Sequence, residues 1–312
     1  MDYESLHKER LVRHARGYAS ALLEDDSIKG IMLGGSAAHG GADRESDVDM
    51  LVIVRELPTV DRRATWLRRV TGEEIPLAKL SPTEDRKWDE FHVSGRKVDP
   101  EQWGEGGVGG GLFYFTEAEV ERDVNRVADL LVAFIGRDEL ERPSHTEEYL
   151  ADLAHGVILY DAHDLLASSQ ERLSQYPDSA REQLINYHWH YAEIAINEDI
   201  QRAVWRSDFL HAYDRRVEGI RHLIRMLFAM NRRYFRKGKG LQCMLAGFER
   251  CPANTWDGLL RALGEPDHMR AAAMLLRLAG QIIDLIEPRD VLKGRQHWRD
   301  LCAAWAKEYD VS

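Results

Sequence analysis

Apolar residues along the chain follow two different periods, and the change between them divides the sequence. Short apolar runs at residues 31–33 and 50–54 are bounded by glycine or aspartate, which is typical of buried strands. From Thr116 onward, apolar residues recur every three to four positions, which predicts helices. We therefore predict an α+β fold, in which residues 1–115 form a domain with a mixed β-sheet and helices, and residues 116–312 form a helical bundle.

Helices are also predicted around the strands of the first domain. Residues 3–25 carry apolar positions at helical spacing, and residues 58–70 suit a second helix. Thr116 followed by Glu119 is typical of a capping box and predicts the first helix of the second domain. Further helix starts are predicted near Thr146, His163, Asp178, Asp208, Thr255, Pro266 and Pro288.

The two strands enclose the stretch with the clearest candidate chemistry. Gly34-Gly35-Ser36 follows the first strand, and Asp47-Val48-Asp49 begins the second, with ten residues between Ser36 and Asp47. Side chains alternate along a strand, so Asp47 and Asp49 share one face. Two carboxylates so close together repel each other unless a cation lies between them. Mg²⁺ is the expected cation, because it prefers one or two carboxylates plus substrate phosphates.

The two glycines predict the other half of the same site. Gly34 and Gly35 lack side chains where a backbone must come close to a ligand. If a helix begins at Ser36, its free N–H groups suit a phosphate. The stretch therefore predicts a site for a magnesium-bound nucleoside triphosphate.

This arrangement of Gly-Gly-Ser, ten residues and Asp-x-Asp resembles the DNA polymerase beta-like nucleotidyltransferase superfamily. In size and layout, the chain resembles its aminoglycoside and lincosamide antibiotic nucleotidyltransferases. The resemblance implies transfer of AMP from Mg-ATP, or of another nucleotide from its triphosphate, to a hydroxyl of a small acceptor, with release of pyrophosphate. It implies that Asp47 and Asp49 are catalytic and bind two Mg²⁺ ions, and that Gly34, Gly35 and Ser36 bind the nucleotide.

The superfamily also carries a third carboxylate on a later strand, and this chain offers several candidates. By position, Asp99 is the predicted third metal-binding and catalytic residue, and it would take the proton from the acceptor hydroxyl. Asp89 and Glu90 are the alternatives. A triphosphate also needs further positive charge. Lys239, or Lys237, in the basic stretch after a predicted helix, is the candidate, and helix capping is the other explanation for these lysines.

Three further segments carry weaker patterns. The glycine-rich residues 104–111 predict a flexible lid or connector, since they lack the ending of a phosphate-binding loop. Tyr187 and Tyr191 share a helical face that suits a cationic or sugar-like acceptor, with core packing as the alternative. Arg206 and His211 have the spacing of the ribonucleases of the HEPN type, which also arises by chance in a helical region rich in both residues.

Composition narrows the partners and the location. The net charge of −11 disfavours a nucleic-acid partner and suits a cationic small acceptor. Three cysteines without CxxC spacing argue against a zinc site or a disulfide framework. No apolar run approaches the roughly 20 residues that span a bilayer, and the N-terminus has no signal-peptide core, so we expect a cytoplasmic protein without a membrane partner.

Two other functions remain open at this stage. A minimal nucleotidyltransferase of the antitoxin type would adenylylate a hydroxyl on a protein rather than on a small molecule. A catalytically silent protein would bind the nucleotide without transferring it. The intact Gly-Gly-Ser and Asp-x-Asp elements favour an enzyme over the silent protein.

Overall fold

The computed structural model describes most of the chain. It covers residues 3–43, 46–73, 88–91, 108–133, 135, 144–236, 240–287, 292 and 294–309. The predicted site residues Asp99 and Lys239, the alternative Lys237 and the glycines at 104–107 lie outside these ranges.

The chain divides into two compact units. Unit 1 consists of Met1–Val127, His145–Gln175 and Arg236–Leu241, and unit 2 consists of Ala128–Ser144, Tyr176–Phe235 and Gln242–Ser312. The chain therefore returns to unit 1 twice after it has first entered unit 2. The domain boundary near residue 115 stays a prediction, and the first predicted domain lies entirely within unit 1.

Unit 1 is built on a five-stranded mixed sheet. Its strands are β1 (Ile28–Leu33), β2 (Val48–Val54), β3 (Trp88–Phe91), β4 (Gly110–Thr116) and β5 (Val157–Asp161). Their order across the sheet is β3-β4-β2-β1-β5. The β2–β4 pair is parallel and the other three pairs are antiparallel. The mixed sheet and the helices that follow confirm the predicted α+β class.

The strand register brings one row of residues together across the sheet. Asp49 on β2 pairs with Gly111 on β4, and Gly111 pairs with Glu90 on β3. Paired residues project to the same side of a sheet, so these three share one face. Phe113 and Trp88, which pair with each other two residues further along, lie on that face as well.

Two helices cover the opposite face of this sheet. Helix α1 (Tyr3–Leu22) and helix α3 (Val60–Thr71) were both predicted from their periodicity and are confirmed. Tyr18 of α1 packs edge-on against Phe91, and Trp66 of α3 contacts the ring of Tyr114. Between β1 and β2 lies the short helix α2 (Gly35–His39). The core of unit 1 therefore lies behind the face that carries Asp49.

A buried ion pair joins α3 to the edge strand β3. Arg63 is 1% exposed, and its Nη1 donates to Asp89 Oδ1 at 3.2 Å. The Tyr114 hydroxyl donates to the second oxygen of Asp89 at 3.0 Å. Burial, with the Asp89 charge beside it, raises the pKa of Tyr114 well above its usual value, so the hydroxyl stays a donor. Asp89 is thus a structural residue on the core side of the sheet.

The other described elements are all helical, and one of them is a π-helical segment. In chain order they are α4 (Glu117–Asn125), α5 (Val127–Val132), α6 (Ser144–His155), α7 (Leu165–Ser174), α8 (Asp178–Glu193), a π-helical segment (Ile194–Asp199), α9 (Ile200–Trp205), α10 (Phe209–Met230), α11 (Leu241–Ala246), α12 (Thr255–Gly264), α13 (His268–Asp284) and α14 (Arg295–Glu308). The predicted capping box of Thr116 and Glu119 is confirmed at the start of α4.

The prediction that everything after Thr116 is helical is wrong at residues 157–161. This segment forms β5, which pairs with β1 through Leu33 and Val157. Its apolar residues are only half-buried, and their run is too short to distinguish a strand from a helix by period. In unit 2, α10 packs against α8 and against the π-helical segment, and a Cβ added to Gly219 on α10 would collide with the side chain of Ile196 in that segment. No helix in the described ranges is long and apolar enough to cross a membrane.

We predict that Asp89→Ala lowers the free energy of unfolding by about 3–5 kcal/mol, because it leaves the buried Arg63 guanidinium without its carboxylate. Urea denaturation measures this loss. The double variant Arg63→Met/Asp89→Leu should retain more stability than either Asp89→Ala or Arg63→Met alone. A loss below about 1 kcal/mol in Asp89→Ala would show that the pair does not anchor β3.

Candidate active site

The turn that leaves β1 is tied directly to the beginning of β2. The N–H of Gly34 donates to the backbone oxygen of Asp49 at 2.8 Å, so the two halves of the motif lie side by side. Gly35 has a φ of +65°, which strongly favours glycine. A Cβ at Gly35 would also collide with the Asp49 carboxylate. Glycine is therefore needed here for its backbone conformation and for its close contact with Asp49.

A second glycine lies on the other side of the same carboxylate. A Cβ added to Gly111 would lie 3.4 Å from Asp49 Oδ1 and 2.9 Å from Cε2 of Phe113. The Asp49 carboxylate therefore lies between Gly35 and Gly111, with no protein Cβ on either side. The carboxylate can therefore lie close to the backbone of both glycines.

The electrostatics of Asp49 follow from its surroundings. Burial, together with the negative charges of Asp47 and Asp152, raises the pKa of Asp49 to about 7. The guanidinium of Arg236 acts in the opposite direction, and Asp47 itself is exposed. A carboxylate in such a place stays ionised more readily when a cation is close to it. The site is therefore suited to a cation beside Asp49.

Asp152 on α6 is a member of this site that the sequence analysis did not single out. Its Oδ1 accepts the N–H of Gly35 at 3.2 Å and lies 2.7 Å from Nε2 of His39. It also faces Gly34, where an added Cβ would lie 2.7 Å from Asp152 Oδ2. No motif marks Asp152, because it lies 113 residues after His39 in an ordinary amphipathic helix.

The contacts of Asp152 bear on the predicted phosphate site. The N–H groups of Gly34 and Gly35 are both engaged, by Asp49 and Asp152 respectively. Ser36 is 7% exposed, on a helix of only five residues. A phosphate could use the Gly35 N–H only if the hydrogen bond to Asp152 breaks. The nucleotide-binding roles of Gly34, Gly35 and Ser36 stay predictions.

Arg236 places a positive charge close to Asp49. It begins the segment Arg236–Leu241 that belongs to unit 1, and its charge lowers the pKa of Asp49. Its Nη1 is buried and has no hydrogen-bond partner among the described residues. Lys239 and Lys237 were predicted from the same basic stretch after a helix. Both lysines lie outside the described residues, and Arg236 belongs to that stretch as well.

The structure separates the candidates for the third carboxylate. Asp89 lies on the core face with Arg63, so it is excluded as a neighbour of Asp49. Glu90 is exposed and shares the face and the row of Asp49, with Gly111 between them. Asp99 lies outside the described residues. At the place next to Asp49 on the parallel strand β4, the chain has a glycine and therefore no carboxylate.

Part of the predicted glycine-rich lid belongs to the sheet. Gly110 and Gly111 are the first residues of β4, so the prediction of a lid or connector is wrong for these two. A Cβ at Gly110 would collide with the backbone oxygen of Val48, which is why glycine occurs at that point of the strand pair. The glycines at 104–107 lie outside the described residues.

The two other segments singled out from the sequence lie in unit 2. The rings of Tyr187 and Tyr191 are 4.6 Å apart, and Tyr191 stacks on His222 with a centroid distance of 5.6 Å. Their shared face therefore packs α8 against α10, as the packing alternative predicts. Arg206 and His211 are both exposed near the junction of α9 and α10. Their ribonuclease role stays a prediction.

Comparison with known families supports the superfamily. The sequence model of a nucleotidyltransferase domain matches residues 16–152. This range is similar to a nucleotidyltransferase domain. It contains both halves of the glycine–aspartate motif and supports a transferase. A domain of unknown function (DUF4037) matches residues 144–239, which include Asp152 and Arg236. The site as built therefore combines residues from both matched ranges.

Comparison with whole proteins adds no finer detail. A crystal structure of a nucleotidyltransferase-like protein from Exiguobacterium sibiricum 255-15 is similar over 95% of this chain and 77% of that chain, with 12% identity and a TM-score of 0.41. No curated protein matched the chain. The resemblance to antibiotic nucleotidyltransferases stays a prediction.

The acidic residues that the structure describes do not form a complete metal cage. Among the described residues, no three His, Cys, Asp or Glu side chains are grouped so that they could hold a metal ion. Asp47 and Asp49 nevertheless fit Mg²⁺, which takes one or two protein carboxylates and completes its shell with phosphates and water. Burial first, and then the charges of Asp47 and Asp152, raise the pKa of Asp49, and the charge of Arg236 does not cancel these effects.

We predict that Asp49→Asn stabilises the metal-free protein at pH 8. Because the pKa of Asp49 is raised, the folded state holds its proton more tightly than the unfolded state. Its ionisation therefore costs stability as the pH rises from about 4 to about 7, and the full cost of about 2 to 4 kcal/mol remains above pH 7. Thermal unfolding in EDTA should show a higher melting temperature for the variant.

The pH dependence is the control for this stability prediction. The difference in melting temperature between variant and wild type should shrink as the pH falls from 7 towards 4, and the exposed-site variant Asp61→Asn should show no such trend. A variant less stable than the wild type at pH 8 would show that the ionised Asp49 carboxylate does not destabilise the folded protein.

Proposed function

We propose that the protein transfers a nucleoside monophosphate, AMP, from Mg-ATP to a hydroxyl of a small acceptor such as an antibiotic, and releases pyrophosphate. The observation that carries this proposal is the crowded carboxylate of Asp49, which lies between two glycines and beside Asp47 and Asp152. The match to a nucleotidyltransferase domain supports the reaction class. The nucleotide, the metal and the acceptor are our proposal.

Asp47 and Asp49 would hold the metal. Asp49 is the second residue of β2, and Asp47 directly precedes the strand, close enough for its charge to raise the pKa of Asp49. Bound Mg²⁺ would neutralise the phosphate oxygens and lower the charge repulsion that the attacking oxygen meets. The two glycines beside Asp49 allow a phosphate to come close to that carboxylate from the open side of the sheet.

Arg236 would bind the triphosphate. Its Nη1 is buried and has no acceptor within the described ranges, so the protein carries the cost of removing that N–H from water. A phosphate oxygen is the acceptor that suits it best, because guanidinium groups bind phosphate through charge-assisted hydrogen bonds. Lys239 stays a predicted partner from the adjoining segment.

In the proposed reaction, the acceptor oxygen forms a bond to the α-phosphorus, and the bond from that phosphorus to the bridging oxygen of the β-phosphate breaks. Pyrophosphate leaves with the electron pair of that bond. The hydroxyl proton goes to a carboxylate, for which Asp99 stays the predicted base. Asp152 would act as a positioning residue, since it holds the turn at Gly35 and the ring of His39.

We predict that Asp47→Asn and Asp49→Asn abolish transfer while the fold stays intact. Pyrophosphate release from ATP, GTP, CTP and UTP with Mg²⁺ would be measured over a panel of aminoglycosides, lincosamides and candidate proteins. Circular dichroism would check the fold, and Asp61→Asn, on an exposed carboxylate of α3, is the matched control. Full activity in either aspartate variant would contradict the mechanism.

The same panel separates the alternatives. Release with protein acceptors only would favour the protein adenylyltransferase. Nucleotide binding without release under any acceptor would favour the silent protein. The proposal requires release that depends on a small hydroxyl-bearing acceptor.

We predict that Arg236→Gln raises KM for the nucleoside triphosphate by at least about tenfold, since a buried charge-assisted hydrogen bond to phosphate is lost. Arg236→Lys should retain part of the affinity, because it keeps the charge but not the planar donor pair. Arg233→Gln, an exposed arginine three residues earlier, is the control and should leave KM unchanged. An equal effect of the two glutamine variants would contradict a specific role for Arg236.

A further inference from the structure

Two aromatic side chains lie beside Asp49 on the same face of the sheet. Phe113 on β4 pairs with Trp88 on the edge strand β3. Their rings are stacked, with centroids 6.4 Å apart and an interplanar angle of 21°. Trp88 is 36% exposed and Phe113 is half-buried. Part of the Trp88 ring therefore stays accessible on the face of the sheet that carries Asp49.

Gly111 joins this aromatic pair to the proposed site. A Cβ added to Gly111 would lie 2.9 Å from the Phe113 ring and 3.4 Å from Asp49 Oδ1. Because both distances start at one point, Phe113 Cε2 and Asp49 Oδ1 are at most about 6.3 Å apart. Any other residue at Gly111 would put a side chain into the space between them. The glycine therefore keeps a continuous surface from Asp49 to the two rings.

We propose that Trp88 and Phe113 form the stacking surface for the base of the nucleoside triphosphate. This inference rests on the proposed function, in which a nucleotide phosphate lies beside Asp49. In a nucleotide, only a pentose separates the α-phosphate from the base, which matches two rings lying directly beyond the carboxylate. Stacking of a base on an aromatic side chain contributes about 1–3 kcal/mol and accepts any base. The surface therefore takes a planar heterocycle and contributes affinity without strict base selection.

Charge favours the base over a phosphate on this surface. Glu90 lies on the same face two residues from Trp88 and is exposed, and Asp49 lies at the other end of the row. The Glu90 carboxylate repels phosphate groups but accepts hydrogen bonds from the ring or exocyclic N–H groups of a base, whereas a phosphate beside Asp49 would need the proposed Mg²⁺. The triphosphate would instead lie towards Arg236, whose charge acts on Asp49.

Binding measurements test this surface without relying on catalysis. Isothermal titration at pH 8 would compare Mg-ATP with magnesium tripolyphosphate, which has the phosphates but no base. Trp88→Ala should weaken Mg-ATP binding about 5- to 150-fold, the range that corresponds to the stacking energy. It should leave tripolyphosphate binding within about threefold of the wild type, and Trp88→Phe should lose much less affinity for Mg-ATP than Trp88→Ala.

A matched tryptophan provides the control. Trp205 in unit 2 is 75% exposed, so Trp205→Ala tests whether loss of any surface tryptophan changes nucleotide binding. As a second readout, Mg-ATP should quench part of the tryptophan fluorescence in the wild type and in Trp205→Phe, but that part should disappear in Trp88→Phe. Melting temperatures would verify that β3 stays folded in each variant.

The outcomes separate this inference from the proposed function. A wild-type protein that binds none of the four Mg-NTPs would overturn both. If Trp88→Ala binds Mg-ATP as tightly as the wild type does, the stacking surface alone is overturned. Equal weakening of Mg-ATP and tripolyphosphate by Trp88→Ala would also overturn it, since the effect would not come from the base. An unchanged Mg-ATP affinity with a raised KM for the acceptor would assign the rings to the acceptor instead.

Discussion

Burial of the Asp49 carboxylate beside other acidic residues is the constraint on which the site depends. The chain holds Asp49 in a buried position beside Asp47 and Asp152, where its pKa rises to about 7. Protein interiors do not retain such an arrangement for stability, because it opposes folding at neutral pH. A bound cation would convert the same arrangement into an attractive one. The cost in the empty protein would then be the source of affinity for the proposed metal.

The rest of unit 1 can be understood as support for that one carboxylate. Gly35 and Gly111 have no side chains where the Asp49 carboxylate lies close to their backbone. The hydrogen bond from the Gly34 N–H to the Asp49 backbone oxygen holds the turn against the strand. On the far side of the sheet, the ion pair of Arg63 and Asp89 fixes the edge strand that carries Trp88. Chemistry and core therefore occupy opposite faces of the same sheet.

The sequence predicted those parts of the molecule whose cause is local. The strands around Gly34 and Asp49, the helix starts near Asp178, Asp208 and Thr255, and the capping box at Thr116 follow from patterns within a few residues, and these are present. The start predicted near Pro288 lies outside the described residues. The contribution of Asp152 depends on how α6 folds back onto the glycine turn, and no short pattern reports a contact so distant in the chain. β5 was missed for a similar reason, since its pairing with β1 decides its conformation.

The central claim is that Asp49 is held in place for a cation. Electron paramagnetic resonance of free Mn²⁺, titrated with protein and ATP at pH 8, measures cation binding directly and needs no acceptor. The account predicts that the wild type removes Mn²⁺ from solution in the presence of ATP beyond what ATP alone binds, and that Asp49→Asn does not. Equal Mn²⁺ uptake by the two proteins would contradict it.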